Sequence, residues 1–429
     1  MTSKLYRAPQ TGKASAARGS VNEVSTVNLV NNPGDIQFRM EVREFIRKAL
    51  PELFPDSMTA RWGLRFLDRT EVRAWTRALD SKGWAVPHWP VEWGGIGITA
   101  VRRHILLEEL SAAGCPSQDA ISIDFVGPVL YTFGSPQQKR RYLPRIRGAE
   151  DFWCQGFSEA SAGSDVMQLK TTATRQGNHF IVTGQKLWIT NAHFADMMFA
   201  LVRVEMPGQR RQQGLSFLLI DMRSEGISVR PILTIDGRHH INEVVLENVK
   251  VPADNLVGEP GKGWIYARLI LANERNVIAG VRSARRQLEQ ARNLLQTRRE
   301  GGAPLLEYDG YRSRIAQMEI ELDALEVLEQ RTLHAPSGPD APPSVLGPIL
   351  KVRASELRQQ ISELAIDALG DCGLEAHPHP ELEQVPTDPA ALAHLRACAI
   401  TAGYLFQRSA TIAGGTSEVQ RNIISAIGL

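Results

Sequence analysis

The sequence predicts an α+β protein of three parts, in which an antiparallel β-barrel domain separates two all-helical regions. Over residues 35–150 and again over 259–429, apolar residues recur at spacings of three and four, which is the period of an amphipathic helix. Over residues 151–258, apolar and polar residues alternate in short runs bounded by Gly, Pro and Asn, as expected of strands. These two changes of period define the three domains.

The N-terminal domain is expected to be a small helical unit. One apolar face is formed by Phe38, Val42, Phe45 and Ile46, and further helices are expected over 61–83, 106–110 and 136–146. A turn-rich loop lies between them at 87–97. Residues 1–34 contain no hydrophobic signal core. We expect a flexible tail there, with an arm that clasps a partner subunit as the alternative.

The middle domain begins with a predicted hairpin, 171–175 and 179–183, around the turn Gly177-Asn178. Further strands are expected over 186–190, 197–204, 215–221 and 244–246, with turns at Gly184, Pro207-Gly208 and Gly226. Because strands that alternate on both sides need a closed or covered sheet, we predict a small barrel.

The C-terminal domain is predicted to be a four-helix bundle. Its long helices are expected over 264–296, 312–333, 345–369 and 390–407, and a shorter one over 416–424. Gly301-Gly302 and two Pro-rich stretches, 336–343 and 378–389, separate them.

Composition excludes several classes of function. The net charge of the 429-residue chain is +2, so there is no electrostatic case for nucleic acid as a partner. The four cysteines fit no zinc template and suggest no disulfide scaffold, and we expect no metal centre and a reduced, cytoplasmic setting. No apolar run reaches the ~18 residues of a membrane span.

Two segments of the middle domain are the strongest local motifs of the sequence. They are Gln155-Gly-Phe-Ser-Glu-Ala-Ser-Ala-Gly-Ser-Asp165 and Lys186-Leu-Trp-Ile-Thr190. Both resemble the paired flavin motifs of the acyl-CoA dehydrogenase family. The isoalloxazine ring of a flavin is flat and apolar on its faces and polar at its edge, so it needs an aromatic wall and hydrogen-bond donors. Phe157, Ser158, Trp188 and Thr190 supply groups of these kinds.

Together with Ala410-Thr-Ile-Ala-Gly-Gly-Thr-Ser-Glu-Val-Gln-Arg-Asn-Ile-Ile424, these segments resemble the acyl-CoA dehydrogenase family. The resemblance covers residues 36–426, and the order of the three domains agrees with it. It implies that FAD is the cofactor and that Ser164 touches the acyl-CoA. The residues implied in cofactor binding are Gln155, Phe157, Ser158, Trp188, Ile189, Thr190, Arg298, Gly370, Gly415, Thr416 and Glu418. The family aromatic three residues after Arg298 is replaced by Gly301, and Asp371 is an unusual acid beside Gly370.

The catalytic base is the main question, because Gly414 stands where many members carry a glutamate. Glu274 lies in an apolar helical stripe, with Ile270, Leu271, Val277 and Ile278 three and four residues away. Asn273-Glu274-Arg275 also resembles the isovaleryl- and long-chain acyl-CoA dehydrogenases, which keep their base on this helix. We therefore predict Glu274 as the base and Arg275 as a substrate-site residue. The alternative is a surface glutamate paired with Arg268 or Arg275.

The resemblance implies that the backbone N–H at position 414 helps polarise the thioester carbonyl, and a glycine still offers that N–H. The missing side chain also leaves room that a glutamate would fill, which is compatible with a bulkier acyl chain. The implied reaction is FAD-dependent α,β-dehydrogenation of an acyl-CoA to a 2-enoyl-CoA in fatty acid or sterol side-chain catabolism. An electron-transfer flavoprotein would take the electrons, and the chain would form a homodimer, a homotetramer or a heterotetramer with a related subunit. The alternatives are a non-catalytic partner subunit and an oxidase or monooxygenase of the same fold.

Overall fold

The computed structural model describes residues 32–54, 68–204, 214–335, 342–373 and 388–428. Most of the predicted tail lies outside these residues, as do the turn at Pro207-Gly208 and most of the Pro-rich stretch at 378–389. Helix α1 begins at Pro33, two residues before the predicted boundary. The reason is local, because the Asn32 side chain accepts the backbone N–H of Asp35 and caps the first turn.

The N-terminal region is helical, as predicted. Its helices are α1 Pro33–Leu53, α2 Arg69–Asp80, α3 Ala100–Ala112, α4 Gly127–Phe133 and α5 Pro136–Arg147. A π-helical turn, Ile121–Val126, leads into α4. Buried side chains of α1, α2 and α3, among them Val42, Trp75 and Ile105, share one hydrophobic cluster.

The middle region is one eight-stranded sheet. Its strands are β1 Trp153–Gly156, β2 Thr172–Gln176, β3 His179–Thr190, β4 Met197–Arg203, β5 Leu215–Asp221, β6 Ile227–Leu233, β7 His239–Pro252 and β8 Leu256–Val257. The pairing order is β6-β7-β3-β2-β4-β5-β8, with β1 parallel to β4. This path ends at β6 and β8, and no backbone pairing joins these two strands in the part of the chain that the structure describes.

The turn predicted at Gly184 is wrong, because β3 continues through it from His179 to Thr190. The glycine serves a close approach instead: a Cβ there would overlap the Thr171 side chain. A register shift against β7 between Val182 and Gly184 marks the same irregularity.

The C-terminal region is a helical bundle. Its helices are α6 Gly263–Ala279, α7 Val281–Thr297, α8 Asp309–His334, α9 Leu346–Leu369, α10 Pro389–Gln407 and α11 Ser417–Gly428. The single helix predicted over 264–296 is wrong, since Gly280 adopts the left-handed conformation (φ 58°) and separates α6 from α7. Helix α9 is the central helix and contacts α6, α7, α8, α10 and α11.

Helix α6 lies where the three regions meet. It contacts β5, α4, α9 and the π-helical turn, and Tyr266, Ala267 and Ile270 belong to the same buried cluster as Phe217 and Val126. A Cβ on Gly263 would come within 2.6 Å of the Ser216 carbonyl carbon, so glycine lets the first turn of α6 approach β5. Among the described helices, none is long and apolar enough to cross a bilayer.

Candidate active site

Glu274 lies on α6 and is half-buried as a residue, with the Oε2 atom of its carboxylate turned inward. Burial raises its pKa to about 7, and this shift is partly opposed by a hydrogen bond from Gln155 and by the charges of Arg275 and Lys351. Its Oε2 atom is buried and has no hydrogen-bond partner among the described residues. The alternative, a surface glutamate paired with an arginine, therefore does not match the structure.

Gln155 joins the middle region to this carboxylate. It lies in β1, opposite Phe199 of β4, and its side chain reaches Glu274 on α6. Strand β1 can lie so close to β4 because Gly156 has no side chain: a Cβ there would be 2.5 Å from Met198 Sδ. The sequence thus brings two of its predicted site residues, 119 positions apart, into contact.

Gly414 faces Glu274 from the loop between α10 and α11. Its φ is 65°, a conformation that disfavours any side chain. A Cβ on Gly414 would overlap Ile278 Cδ1 and lie 3.5 Å from Glu274 Cγ. The expectation that the missing side chain leaves room for a bulky acyl group is therefore wrong at this point, because Ile278 already fills the space next to the Cα.

The residues after Gly414 form a loop of fixed shape that leads into α11. Gly415 also has a positive φ (87°), and Gln420 Nε2 donates to the carbonyl oxygens of Gly414 and Gly415 at 3.3 Å. Thr416 Oγ1 accepts the backbone N–H of Val419 at 3.2 Å and so caps α11. The Thr416 hydroxyl also hydrogen-bonds the side chain of Glu418, which is exposed.

Trp188 and Thr190 lie on the surface of β3. Trp188 is 60% exposed and has φ 63°, a strained conformation for a bulky residue. An exposed aromatic face held in strain next to an exposed hydroxyl is what a flat, partly polar ring would cover. Ser158 is half-buried, and its carbonyl oxygen accepts the Leu187 N–H at 2.9 Å, which ties the two predicted flavin segments together.

Phe157 and Ile189 differ from the other predicted flavin contacts. Phe157 is 6% exposed and packs edge-on against Phe199 and Phe217, and Ile189 is 2% exposed. Both side chains belong to hydrophobic clusters. Their side chains therefore stabilise the hydrophobic core. Any contact between these two positions and a flavin ring would come from the backbone.

A buried ion pair joins the first predicted flavin segment, residues 155–165, to the second. Lys186 Nζ lies 2.8 Å from Glu159 Oε1 and donates to the carbonyl oxygen of Leu201 at 2.7 Å. Glu159 also accepts the backbone N–H groups of Lys170 and Thr171. Burial lowers the pKa of Lys186 to about 8 despite the attraction of Glu159.

Lys351 is a charged residue near Glu274 that the sequence pattern did not predict. It lies on α9, is fully buried, and its Nζ has no hydrogen-bond partner among the described residues. Burial lowers its pKa to about 8, against the charges of Glu418, Glu274 and Glu356. No sequence signal marks it, because one lysine in an amphipathic helix looks like any solvated residue.

Arg298 and Gly370 lie together, away from Glu274. Arg298 Nη2 donates to the carbonyl oxygen of Leu369 at 2.8 Å, beside Gly370 at the end of α9. Lys351, which interacts with Glu274, is near the start of that helix, and 19 residues at ~1.5 Å each place Gly370 about 28 Å further along. Within one chain, the predicted cofactor residues thus form two separate groups. Ser164 is exposed in the loop before β2, and Arg275 is half-buried beside Glu274.

The chemistry of the predicted flavin residues fits the flavin part of FAD. The exposed Trp188 face, the hydroxyls of Ser158 and Thr190, and the glycine loop at Gly414 and Gly415 offer an apolar wall and polar groups. Among the described residues, no group of three or more His, Cys, Asp or Glu side chains could hold a metal ion.

Comparison with known proteins gives matches along nearly the whole chain. Three family models match: "Acyl-CoA dehydrogenase, N-terminal domain" over residues 33–150, the corresponding middle domain over 154–249, and the C-terminal domain over 261–429. The acyl-CoA dehydrogenase IpdE1 of Mycobacterium tuberculosis is 34% identical over 366 residues, 83% of this chain and 86% of that protein.

Two solved structures are similar over most of their length. The Tcur3481-Tcur3483 steroid ACAD has a TM-score of 0.77 at 25% identity, covering 94% of this chain and 98% of the other. The ChsE4-ChsE5 complex from Mycobacterium tuberculosis has a TM-score of 0.74 at 26% identity, covering 93% and 97%.

Proposed function

Because the chain belongs to the acyl-CoA dehydrogenase family of oxidoreductases, we propose that it oxidises an acyl-CoA thioester to a 2-enoyl-CoA with Glu274 as the base. The observation that carries the proposal is the burial of Glu274, which raises its pKa to about 7. A general base works best when its pKa lies near the working pH. No competing carboxylate is available from position 414, which is a glycine.

Glu274 removes the proton from the substrate α-carbon. Ile270, which is buried, and Ile278 lie four residues before and after Glu274 and give it apolar neighbours on the same helix face. Gln155, Arg275 and Lys351 limit the rise of its pKa. The backbone N–H of Gly414 supplies a donor for the thioester carbonyl, whose oxygen gains negative charge as the proton leaves.

Trp188, Ser158, Thr190, Gly415 and Thr416 hold the flavin part of FAD. FAD, when bound, accepts the β-hydrogen and its bonding electrons as a hydride. The α-proton stays on Glu274, so the substrate loses two hydrogen atoms in total and gains one double bond. Electrons then leave to an electron-transfer flavoprotein, and the reaction takes place in the cytoplasm.

Arg298 and Gly370 serve a second subunit. They lie about 28 Å along α9 from the Glu274 site, and they would contact the adenosine side of the FAD bound mainly by a neighbouring chain. That neighbour is a second copy or a related chain. The similarity to the steroid ACAD Tcur3481-Tcur3483 and to the ChsE4-ChsE5 complex favours a heteromer and a steroid-derived acyl group.

Anaerobic titration of the FAD-loaded protein with a panel of acyl-CoAs tests this function. We expect at least one steroid-derived acyl-CoA to bleach the flavin, and E274Q to keep FAD but lose bleaching. The exposed Glu259, which pairs with Lys262, gives the matched control E259Q, which should bleach normally. Normal bleaching by E274Q would overturn the assignment of the base.

Two other outcomes would replace the proposed function. No bleaching with any acyl-CoA, together with a second chain that co-purifies and restores it, would make this chain a non-catalytic partner. Rapid reaction of the reduced flavin with O₂ would make it an oxidase or monooxygenase.

A further inference from the structure

The last turn of α6, one turn after Glu274, has unsatisfied backbone groups. Helix ends leave carbonyl oxygens without an intrahelical partner, and α6 ends at Ala279 before the left-handed Gly280. Arg358, on the central helix α9, donates from Nη1 to the carbonyl oxygen of Ile278 at 2.8 Å. A side chain 80 residues away in sequence therefore caps this helix.

Arg358 has an unusual environment for an arginine. Its guanidinium is buried, its Nε has no hydrogen-bond partner among the described residues, and burial alone lowers its pKa to about 10. In the described parts of the chain, no carboxylate pairs with it within 4.0 Å. A cation is costly to bury without a partner. The hydrogen bond to the Ile278 carbonyl oxygen is therefore the interaction that offsets part of this cost for Arg358.

Gly280 makes this contact geometrically feasible. A Cβ at position 280 would lie 3.0 Å from Arg358 Nη1 and 3.3 Å from Cζ. The left-handed φ of 58° also favours glycine at this position. Glycine at position 280 therefore leaves the space that the Arg358 guanidinium occupies beside the end of α6.

Ile278 connects this cap to the base. Ile278 and Glu274 are four residues apart on α6 and face the same side of the helix, and both are the side chains nearest to the Cβ position of Gly414. The last turn of α6 is therefore held between Arg358 on one side and the Gly414 loop on the other. Movement of this turn would move Glu274 relative to Gly414.

We propose that Arg358 is a positioning residue for Glu274, because it fixes the last turn of α6 through the Ile278 carbonyl. It acts through geometry, since the charges that act on Glu274 are those of Arg275 and Lys351. The proposal rests on the proposed function, in which Glu274 is the base.

The test compares R358M, R358Q and R358K in the FAD-loaded protein. R358M removes the donor, R358Q keeps a neutral donor, and R358K keeps a charged one. We expect R358M to slow flavin reduction at saturating acyl-CoA by about 100-fold, the cost of a misplacement of about 1 Å. The Kd of a non-reducible thioether analogue should change little, and R358Q and R358K should each restore most of the rate.

A second measurement does not depend on activity. Hydrogen–deuterium exchange of the amides in residues 275–280 should speed up in R358M and not in R314M. Arg314 is the matched control, because it links α9 to α8 through Asp367 and does not contact α6. If R358M fails to fold, G280A provides a second test, since its Cβ would lie 3.0 Å from Arg358 Nη1 and crowd the hydrogen bond to Ile278.

The outcomes separate the two proposals. Normal flavin reduction by R358M, or a rate loss that R358Q does not restore, overturns the positioning role. Unchanged exchange in residues 275–280 overturns it as well. Normal reduction by E274Q overturns the base assignment instead, whatever the exchange data show.

Discussion

Glu274 Cγ lies 3.5 Å from the point where a Cβ would stand on Gly414. The carboxylate comes from helix α6, and the glycine comes from the loop before α11. The two positions at which an acyl-CoA dehydrogenase of this kind can carry its base are therefore neighbours in space, although 140 residues separate them. In this chain, the helix position carries a carboxylate and the loop position carries a glycine.

A glutamate placed at position 414 should not replace Glu274. In E274Q/G414E, the new side chain would meet Ile278 and would adopt φ 65°, which costs roughly 1–2 kcal/mol for a residue with a Cβ. We expect a lower Tm than for E274Q and no recovery of flavin bleaching. G403A is the control, because Gly403 lies inside helix α10 with nothing within 4 Å of its Cβ position. Recovery of bleaching would show that the loop can be rebuilt around Ile278.

The rate of flavin reduction should rise with pH and level off above about 7. Glu274 must be ionised to accept the α-proton, and burial raises its pKa to about 7. Single-turnover reduction measured between about pH 5 and 9 tests this. A midpoint near 4.5, the ordinary value for glutamate, would contradict the burial of the carboxylate in the working enzyme.

The same shift predicts how stability depends on pH. The folded pKa of Glu274 is raised, so the folded protein binds the proton more tightly than the unfolded chain. The resulting stability is fully present below about 4.5 and is lost as the pH rises through 7, by up to about 3 kcal/mol. E274Q should therefore gain Tm over the wild type at about pH 8 and not at about pH 5. Equal Tm differences at both pH values would argue against the shift.

Several features of this site follow from the sequence, and others do not. The apolar stripe around Glu274 predicts a buried acid because the helical period alone puts Ile270 and Ile278 beside it. Lys351 and Arg358 were not predictable, since each matters through a contact between helices far apart in the chain. The break at Gly280 is similar: a single glycine in a long helical pattern is ambiguous until its φ is known.

Lys351 should tune the pKa of Glu274. Its positive charge lowers that pKa, so K351M should move the midpoint of the pH–rate profile to higher pH. The expected shift is a fraction of a pH unit to about one unit, because the effective dielectric inside a protein weakens the pair. K250M is the control, since Lys250 is exposed on β7. An unchanged midpoint would mean that the Lys351 charge is screened from Glu274.

Trp188 and Phe157, both predicted as flavin contacts, should behave differently when shortened. W188A should weaken FAD binding by several-fold, as expected when an aromatic face is lost, and should leave the Tm of the apoprotein nearly unchanged because the ring is 60% exposed. F157A should cost about 3–5 kcal/mol of stability, as for other buried phenylalanines. FAD titration and thermal unfolding distinguish them. V91A, at a 71% exposed valine, is the control.

The buried pair of Lys186 and Glu159 should show strong coupling in a double-mutant cycle. K186M leaves a buried, unpaired carboxylate and should cost about 3–5 kcal/mol of unfolding free energy. K186M/E159Q should recover part of this loss, because neither side chain then carries a buried charge, and the amide oxygen of the introduced glutamine can still accept a backbone N–H. Urea unfolding of the two single variants and the double variant gives the coupling energy. Additive losses would show that the pair is solvated, and that the shape of the first flavin segment depends on the backbone hydrogen bonds alone.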